Sequence, residues 1–266
     1  MARLPQRRPR ATMAVPRGVR RLIGPILLLV LWIVLSATGV VSSKSLAPPR
    51  KVGAAFTDLV RTGELQHHLW VSLQRVAIGL AVGVAVGVAL ALVAGLFRWG
   101  EDLVDGPMQV LRGLPVLALV PLMILWLGIG EAPKVTLIVI GVVFPVYLNT
   151  FAGIRNVDGR LVESSTTFGL DRRGLIRHVI LPGALPSFFT GLRFAFAVSW
   201  LVLVVAEQVN ATSGIGYLVI NAREFLRTDI MLAGLLVYGA LGFTSDALIR
   251  LFERSALSWR PNFSGT

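Results

Sequence analysis

The chain has 266 residues, 55% of them hydrophobic and only 15% charged, against roughly 25% charged in an ordinary soluble domain. No polar stretch exceeds about 30 residues, too short for a separate soluble catalytic domain. The lack of cysteine excludes disulfide frameworks, cysteine nucleophiles and thiolate metal sites; the net charge is +12, and its basic residues gather at the ends of apolar stretches, which points to membrane orientation and away from a nucleic-acid partner.

A helical crossing takes about 20 mostly apolar residues. The chain reads as an all-α integral membrane protein with six such stretches. Residues 1–21 form a basic tail carrying Arg3, Arg7, Arg8, Arg10, Arg17, Arg20 and Arg21. The first span runs over Leu22–Val41. Its length, and the lack of an A-x-A-like cleavage site after it, favour an uncleaved anchor over a signal peptide. An outer segment, 42–68, follows. The remaining spans, within a core of 69–251, are expected at Leu69–Phe97, Met108–Leu127, Val135–Ile154, Leu185–Val209 and Ile230–Leu251, before a C-terminal tail over 252–266.

The arginine-rich tail predicts a cytoplasmic N-terminus. Six crossings return the C-terminus to that side, where Arg250, Arg254 and Arg260 agree. The loop at 155–184 also falls inside, with Arg155, Arg160, Arg172, Arg173 and Arg177.

In the second span Gly79, Gly83, Gly87 and Gly95 make a flat stripe suited to close helix packing. Pro115, Pro121 and Pro145 each remove a helical hydrogen bond and predict kinks. Polar residues at membrane depth are functional suspects: Arg75, Asn149, Arg193, Glu207 and Asp246. Glu207 opens a polar cluster with Gln208, Asn210, Thr212 and Ser213 where the fifth span meets the outer side. Arg75, Asn149, Glu207, Gln208 and Asn210 are the candidates for a substrate route, with capping and snorkelling as the plainer reading.

The loop "ESSTTFGLDRRGLIRHVILPGALP" is built like folded structure. Asp158 suits the cap of a short helix over about Gly159–Phe168, with Leu161, Ser165 and Phe168 on one face. Gly169 suits the left-handed position that ends a helix. Asp171 suits the cap of a second helix through about Val179, and Pro182 predicts an end or turn there.

No H-E-x-x-H, G-x-S-x-G or G-x-x-x-x-G-K-[ST] occurs, so neither a metal centre nor a P-loop ATPase is expected. An intramembrane enzyme would need a nucleophile and base, and none is visible. A gradient-driven secondary transporter is the alternative, but the halves show no convincing repeat and no carboxylate lies deep in the membrane to carry a proton.

Glu163-Ser164-Ser165, Gly169, Val179 and Leu181-Pro182 resemble the pattern Glu-Ala-Ala, three residues, Gly, nine residues, Ile, one residue, Leu-Pro of bacterial ABC importer permeases. Both alanines are serine here and the isoleucine is valine. Over roughly residues 45–260 the chain is similar to the subfamily importing taurine, aliphatic sulfonates and nitrate, in stretches such as "GLPVLALVPLMILWLGIGEAPKV" and "LVVAEQVNATSGIGYLVINAREFLRTD". The resemblance implies a type I importer permease fold in a bacterial plasma membrane, with the 155–184 loop as coupling helix. It implies a second, identical permease copy, two cytoplasmic ATPases that bind the ATP and magnesium, and an outer solute-binding protein. The chain itself would be no enzyme and would hold no cofactor. Its cargo would be a small anion.

Overall fold

The computed structural model describes residues 17–38, 42 and 45–259. The basic tail before Arg17, the end of the first predicted span and the last residues, from Arg260 on, lie outside the described residues. No strand occurs among the described residues. In chain order the helices are α1 (Arg17–Ala37), α2 (Pro49–Arg61), α3 (Glu64–Leu96), α4 (Arg98–Arg112), α5 (Val120–Leu127), α6 (Glu131–Arg155), α7 (Gly159–Thr167), α8 (Arg172–Leu175), α9 (Leu181–Gln208), α10 (Ile215–Glu224) and α11 (Thr228–Ala256). A 3₁₀ turn over Val116–Leu119 leads into α5, and a π-turn over Ile176–Ile180 joins α8 to α9.

The glycine stripe fixes how the bundle is assembled. A side chain on Gly79 would collide with Ile138, and a Cβ on Gly83 would sit 2.7 Å from Val142. On Gly87 it would sit 2.9 Å from Val146, and on Gly95 2.8 Å from Ile154. The glycines of α3 therefore receive a β-branched ridge of α6, and the backbones close to packing distance. Both numbers of each pair rise together, so α3 and α6 are parallel. The chain between them must cross back through the same thickness.

That return is α4 and α5; it starts at Arg98, ahead of the third span expected at Met108–Leu127, and the kink expected at Pro115 is a full corner. Arg98–Arg112 and Val116–Leu127 meet at a bend of 88°. Gly113 and Pro115 sit at the corner, where Pro115 has extended geometry (φ −69°, ψ 111°) and cannot continue a helix. Four other helices are each long and apolar enough to cross alone: Glu64–Leu96, Glu131–Arg155, Arg172–Gln208 and Thr228–Ala256. The apolar part of α1 spans Ile26–Ala37, with Ile26, Leu27, Leu28 and Leu29 exposed as on a lipid-facing helix.

The fifth span also departs from expectation. Pro182 does not end or turn the helix. The Leu181 amide bonds to the Ile176 carbonyl, a π-type i→i−5 bond. This widened turn admits Pro182 near the start of α9, where a missing N–H is tolerated, and one helix runs on from Arg172 to Gln208.

Antiparallel pairing completes the core. Gly153 of α6 lies against Ser187 and Ala184 of α9, and Gly191 of α9 lies against Pro145 and Asn149 of α6. Trp200 Nε1 donates to Ser245 Oγ of α11 at 3.0 Å. Val76, Leu80, Leu137, Ile138, Val142, Val146, Val202 and Leu203 fill the space between. The bundle has a loop end, holding α7, α8 and the last turns of α3, α6 and α11. At the opposite end lie the first turns of those three helices, the end of α9, and α10. The amphipathic α2 buries Val52, Ala55 and Leu59 within the segment 42–68 expected simply as an outer connection.

The stripe yields a direct test. Gly83→Leu should destabilise the purified protein by about 1–3 kcal/mol through overpacking, read as a lower thermal midpoint in detergent. Gly53→Ala, where nothing lies within 4 Å, should leave the midpoint unchanged within error.

Candidate functional sites at the two ends of the bundle

At the end opposite the loop, α10 begins inside the bundle and its exposed N–H groups need acceptors. Three side chains supply them. Gly214 N–H donates to His68 Nδ1 at 3.0 Å, Ile215 N–H to Ser72 Oγ at 2.9 Å and Gly216 N–H to Glu207 Oε2 at 2.8 Å. His68 and Ser72 stand one turn apart on α3, so one face of that helix caps another. A carboxylate at a helix N-terminus is also favoured by the helix dipole.

Glu207 is 1% exposed. Besides Gly216 it accepts from Ser72 Oγ at 2.8 Å, Arg75 Nη1 at 2.7 Å and Tyr238 OH at 3.1 Å. Arg75, 3% exposed, spends its other donors on the Ser213 carbonyl at 2.7 Å and on both oxygens of Glu131, at 2.5 and 2.6 Å. Lys134 Nζ reaches Glu131 at 3.3 Å and the Gly130 carbonyl at 2.8 Å. Two cations and two carboxylates thus form a neutral set joining α3, α6, α9 and α10, with Tyr238 adding α11. Such charges are tolerated out of water only when paired and hydrogen-bonded, as these are. The same cluster accounts for two glycines: a side chain on Gly214 would strike the Glu207 carboxylate, and a Cβ on Gly216 would lie 2.6 Å from Glu207 Cβ. Glu207 is therefore deeper than its position near a span end suggested, but it is fixed by an arginine and three neutral donors.

The structure brings Arg75 and Glu207 together and separates the other route candidates from them. Gln208 and Asn210 are exposed, and Asn210 has a left-handed φ of 57°. Asn149 donates to the Pro145 carbonyl at 2.8 Å, about 27 Å along α6 from Glu131 at 1.5 Å per residue. Ser72, His68, Glu131, Lys134 and Tyr238 were missed. The one sequence signal for them was the tight "SGIG" after an unpaired glutamate. Arg193 and Asp246 meet at the loop end, where Arg193 pairs with Asp246 at 3.5 Å and also with Glu253.

At that loop end the predicted folded element is present. Asp158 accepts from Arg160 N–H at 2.9 Å and opens α7. The turn after it is a Schellman motif: Gly169, at φ 87°, donates to Thr166 O, and Leu170 donates to Ser165 O. Asp171 then accepts from Gly174 N–H at 2.9 Å and opens α8. Ser164 donates to the Leu161 carbonyl at 3.1 Å, satisfied within its own turn. Glu163 is exposed; Val179 lies in the π-turn, with Leu181 and Pro182 just past it. Arg172 ties the element down, donating to Leu96 O at 3.2 Å and stacking over Phe97. Leu161 and Phe168, on one face of α7, remain 55% and 86% exposed.

The buried pair predicts an order of damage. Removing one partner of a buried ion pair costs about 3–5 kcal/mol, so Arg75→Met, which strands Glu207, should lower the thermal midpoint most. Glu207→Gln keeps the shape and should cost less. Glu131→Gln, whose side chain is largely exposed, should cost least, and an equal loss in all three would show that the cluster is not the unit described.

Comparison with known proteins agrees with this architecture. The family model described as "binding-protein-dependent transport system inner membrane component" matches residues 83–258. A putative aliphatic sulfonates transport permease protein of Escherichia coli (strain K12) is 47% identical over 90% of this chain and 91% of its own length. Its namesake from Bacillus subtilis (strain 168) is 38% identical over 93% and 90%, and a taurine transport system permease protein of Escherichia coli is 33% identical over 87% and 86%. Among solved structures, an amino acid ABC transporter chain superposes with a TM-score of 0.60 at 19% identity, covering 75% of this chain and 98% of that one. A chain of the MetNI methionine ABC transporter gives 0.57 at 17% identity, over 74% and 95%; at these identities both attest the fold alone. The chain belongs to the binding-protein-dependent transport system inner membrane component family, as a permease with the all-helical fold of ABC importer membrane subunits.

Proposed function

We propose that this chain forms the membrane path of an ATP-driven importer for a small anionic solute: an aliphatic sulfonate, taurine or nitrate. Two copies would form the path. Two ATPase chains would bind below and hold all of the ATP and magnesium, and a solute-binding protein would deliver cargo from outside. The loop end, with both chain termini, lies in the cytoplasm of a bacterial cell on the positive-inside rule.

The observation that carries this reading is the α7–α8 element. It is capped at both helix starts, locked at Gly169, pinned to the α3–α4 corner by Arg172 and continuous with α9. A loop that only connects spans has no use for that rigidity. A loop that receives force from an ATPase does, and the exposed Leu161 and Phe168 offer it an apolar contact face. Ser164 and Ser165, where alanines were expected, leave this shape intact, since Ser164 bonds inward and Ser165 lends its carbonyl to the Schellman turn. The sulfonate reading rests on the named relatives.

Gly169→Pro removes a donor and cannot adopt φ 87°. It should leave membrane insertion intact while abolishing ATP-dependent sulfonate uptake in proteoliposomes reconstituted with the ATPase and binding protein. Glu163→Arg should uncouple hydrolysis from uptake. Wild-type uptake in both variants would overturn the coupling role, and uptake that persists without ATP but falls with the ion gradient would replace the whole reading. Because the chain has no cysteine, single cysteines at Ile129 and Ser164 give a clean topology check: a membrane-impermeant maleimide on intact spheroplasts should label the first and not the second.

A further inference from the structure

Arg75 and Lys134 are 3% and 4% exposed, yet both point at one carboxylate that is not buried. Glu131, whose side chain is 61% exposed, covers the Nε–Nη2 edge of Arg75 with bonds of 2.5 and 2.6 Å, and its Oε1 also takes Lys134 Nζ at 3.3 Å. Among the described residues these two cations are all that holds the Glu131 carboxylate. It opens α6 just after Gly128 and Gly130, which have positive φ (76° and 155°) and open space around them. Glu207 is different: it is buried and keeps Arg75 Nη1 whether or not Glu131 is in place. With Glu131 swung away, the end of the bundle opposite the loop would show solvent a guanidinium edge and an ammonium, both already fixed by the fold, with one positive charge unmatched.

We propose that Glu131 is a tethered stand-in for the cargo's anionic group, and that Arg75 Nε, Arg75 Nη2 and Lys134 Nζ form an entry site for an alkanesulfonate, which binds by displacing it. A carboxylate has two oxygens, and the arginine fork uses both, so Lys134 is left with a long contact to a shared one. A sulfonate has three oxygens, one for each donor. It is also a monoanion replacing a monoanion, so the buried charge set stays neutral, as charges held out of water require. The site rests on the sulfonate reading above and deepens it. Glu131 belongs to α6 and Arg75 to α3, so the exchange unties the outer ends of those two helices while Arg75 keeps its hold on α9 through Glu207. A tethered carboxylate competes at high effective concentration, which keeps stray anions out and reserves the site for cargo handed over at the mouth.

The test titrates pentanesulfonate into the assembled permease–ATPase complex in detergent, without binding protein, by calorimetry. Glu131→Gln, which removes the competing charge, should tighten binding at least tenfold over wild type, a gain that unfolding cannot produce. Adding Lys134→Gln should abolish the gain in a complex that still melts cooperatively, and adding Lys134→Arg instead, which keeps the charge, should retain it in part. Hexanoate, the same body ending in a carboxylate, should bind the Glu131→Gln complex several-fold more weakly than pentanesulfonate. Unchanged affinity in Glu131→Gln overturns the stand-in, and so does a gain that survives Lys134→Gln or that hexanoate shares in full. Uptake separates the site from the reading it rests on. ATP-driven sulfonate import by reconstituted wild-type vesicles, with no gain of binding in Glu131→Gln, removes the site alone; wild-type vesicles that import no sulfonate, taurine or nitrate overturn the transport reading itself.

Discussion

The pairing of Arg75 with Glu207 is the interaction on which the rest of the bundle depends. Within a membrane a helix satisfies its own backbone, but its ends do not. Here α10 starts within the fold, and its first amides end on His68, Ser72 and the Glu207 carboxylate. That carboxylate is affordable so far from water only because Arg75 neutralises it, and Arg75 is held in turn by Glu131 and the Ser213 carbonyl. Removing any one member leaves another with an unmet charge or donor. The cluster therefore fixes several helix ends at once, a task that apolar contacts, which tolerate sliding, do poorly.

Between the two ends the register comes from shape. Lipid tails are as apolar as valine and isoleucine, so hydrophobicity gives helices little reason to prefer one another over the bilayer. The α3–α6 contact instead sets four glycines against Ile138, Val142, Val146 and Ile154. A shift by one residue would drive a β-branched side chain into backbone. The parallel direction of that contact also forces the crossing by α4 and α5, and with it the 88° bend at Gly113–Pro115. A packing rule in one helix pair thus dictates the irregularity of another.

Much of this was legible in the sequence because it is written in local signals. The glycine stripe, the caps at Asp158 and Asp171 and the turn at Gly169 all follow from residues within a few positions of one another. What escaped was non-local or compensated. Ser72, Glu131 and Tyr238 join Glu207 from positions 135, 76 and 31 residues away, and no spacing rule links them. Pro182 signals a break in any ordinary helix, and only the neighbouring π-turn cancels it. The kink at Pro115 was legible, but its 88° and the helix from Arg98 that precedes it were not, because they depend on the return between parallel neighbours. The amphipathic α2 was overlooked because its buried face is only Val52, Ala55 and Leu59.

The cancelled proline has a mechanical consequence. Had the helix ended at Pro182, the α7–α8 element would meet the fifth span through a flexible joint, and force applied to it would dissipate in the joint. With the π-turn in place, α8 and α9 form one rod from Arg172 to Gln208, about 55 Å long at 1.5 Å per residue. Its far end carries Glu207. The rod is held at one end by the four hydrogen-bonding partners of Glu207 and at the other by Arg172, which donates to the Leu96 carbonyl, so a displacement of the loop would be passed along the helix rather than lost at a joint. Two places along it depart from regular α-helix: the π-turn over Ile176–Ile180, and Pro186, which removes one backbone hydrogen bond inside α9. The position that accommodates Pro182 thus keeps α8 and α9 in one helix.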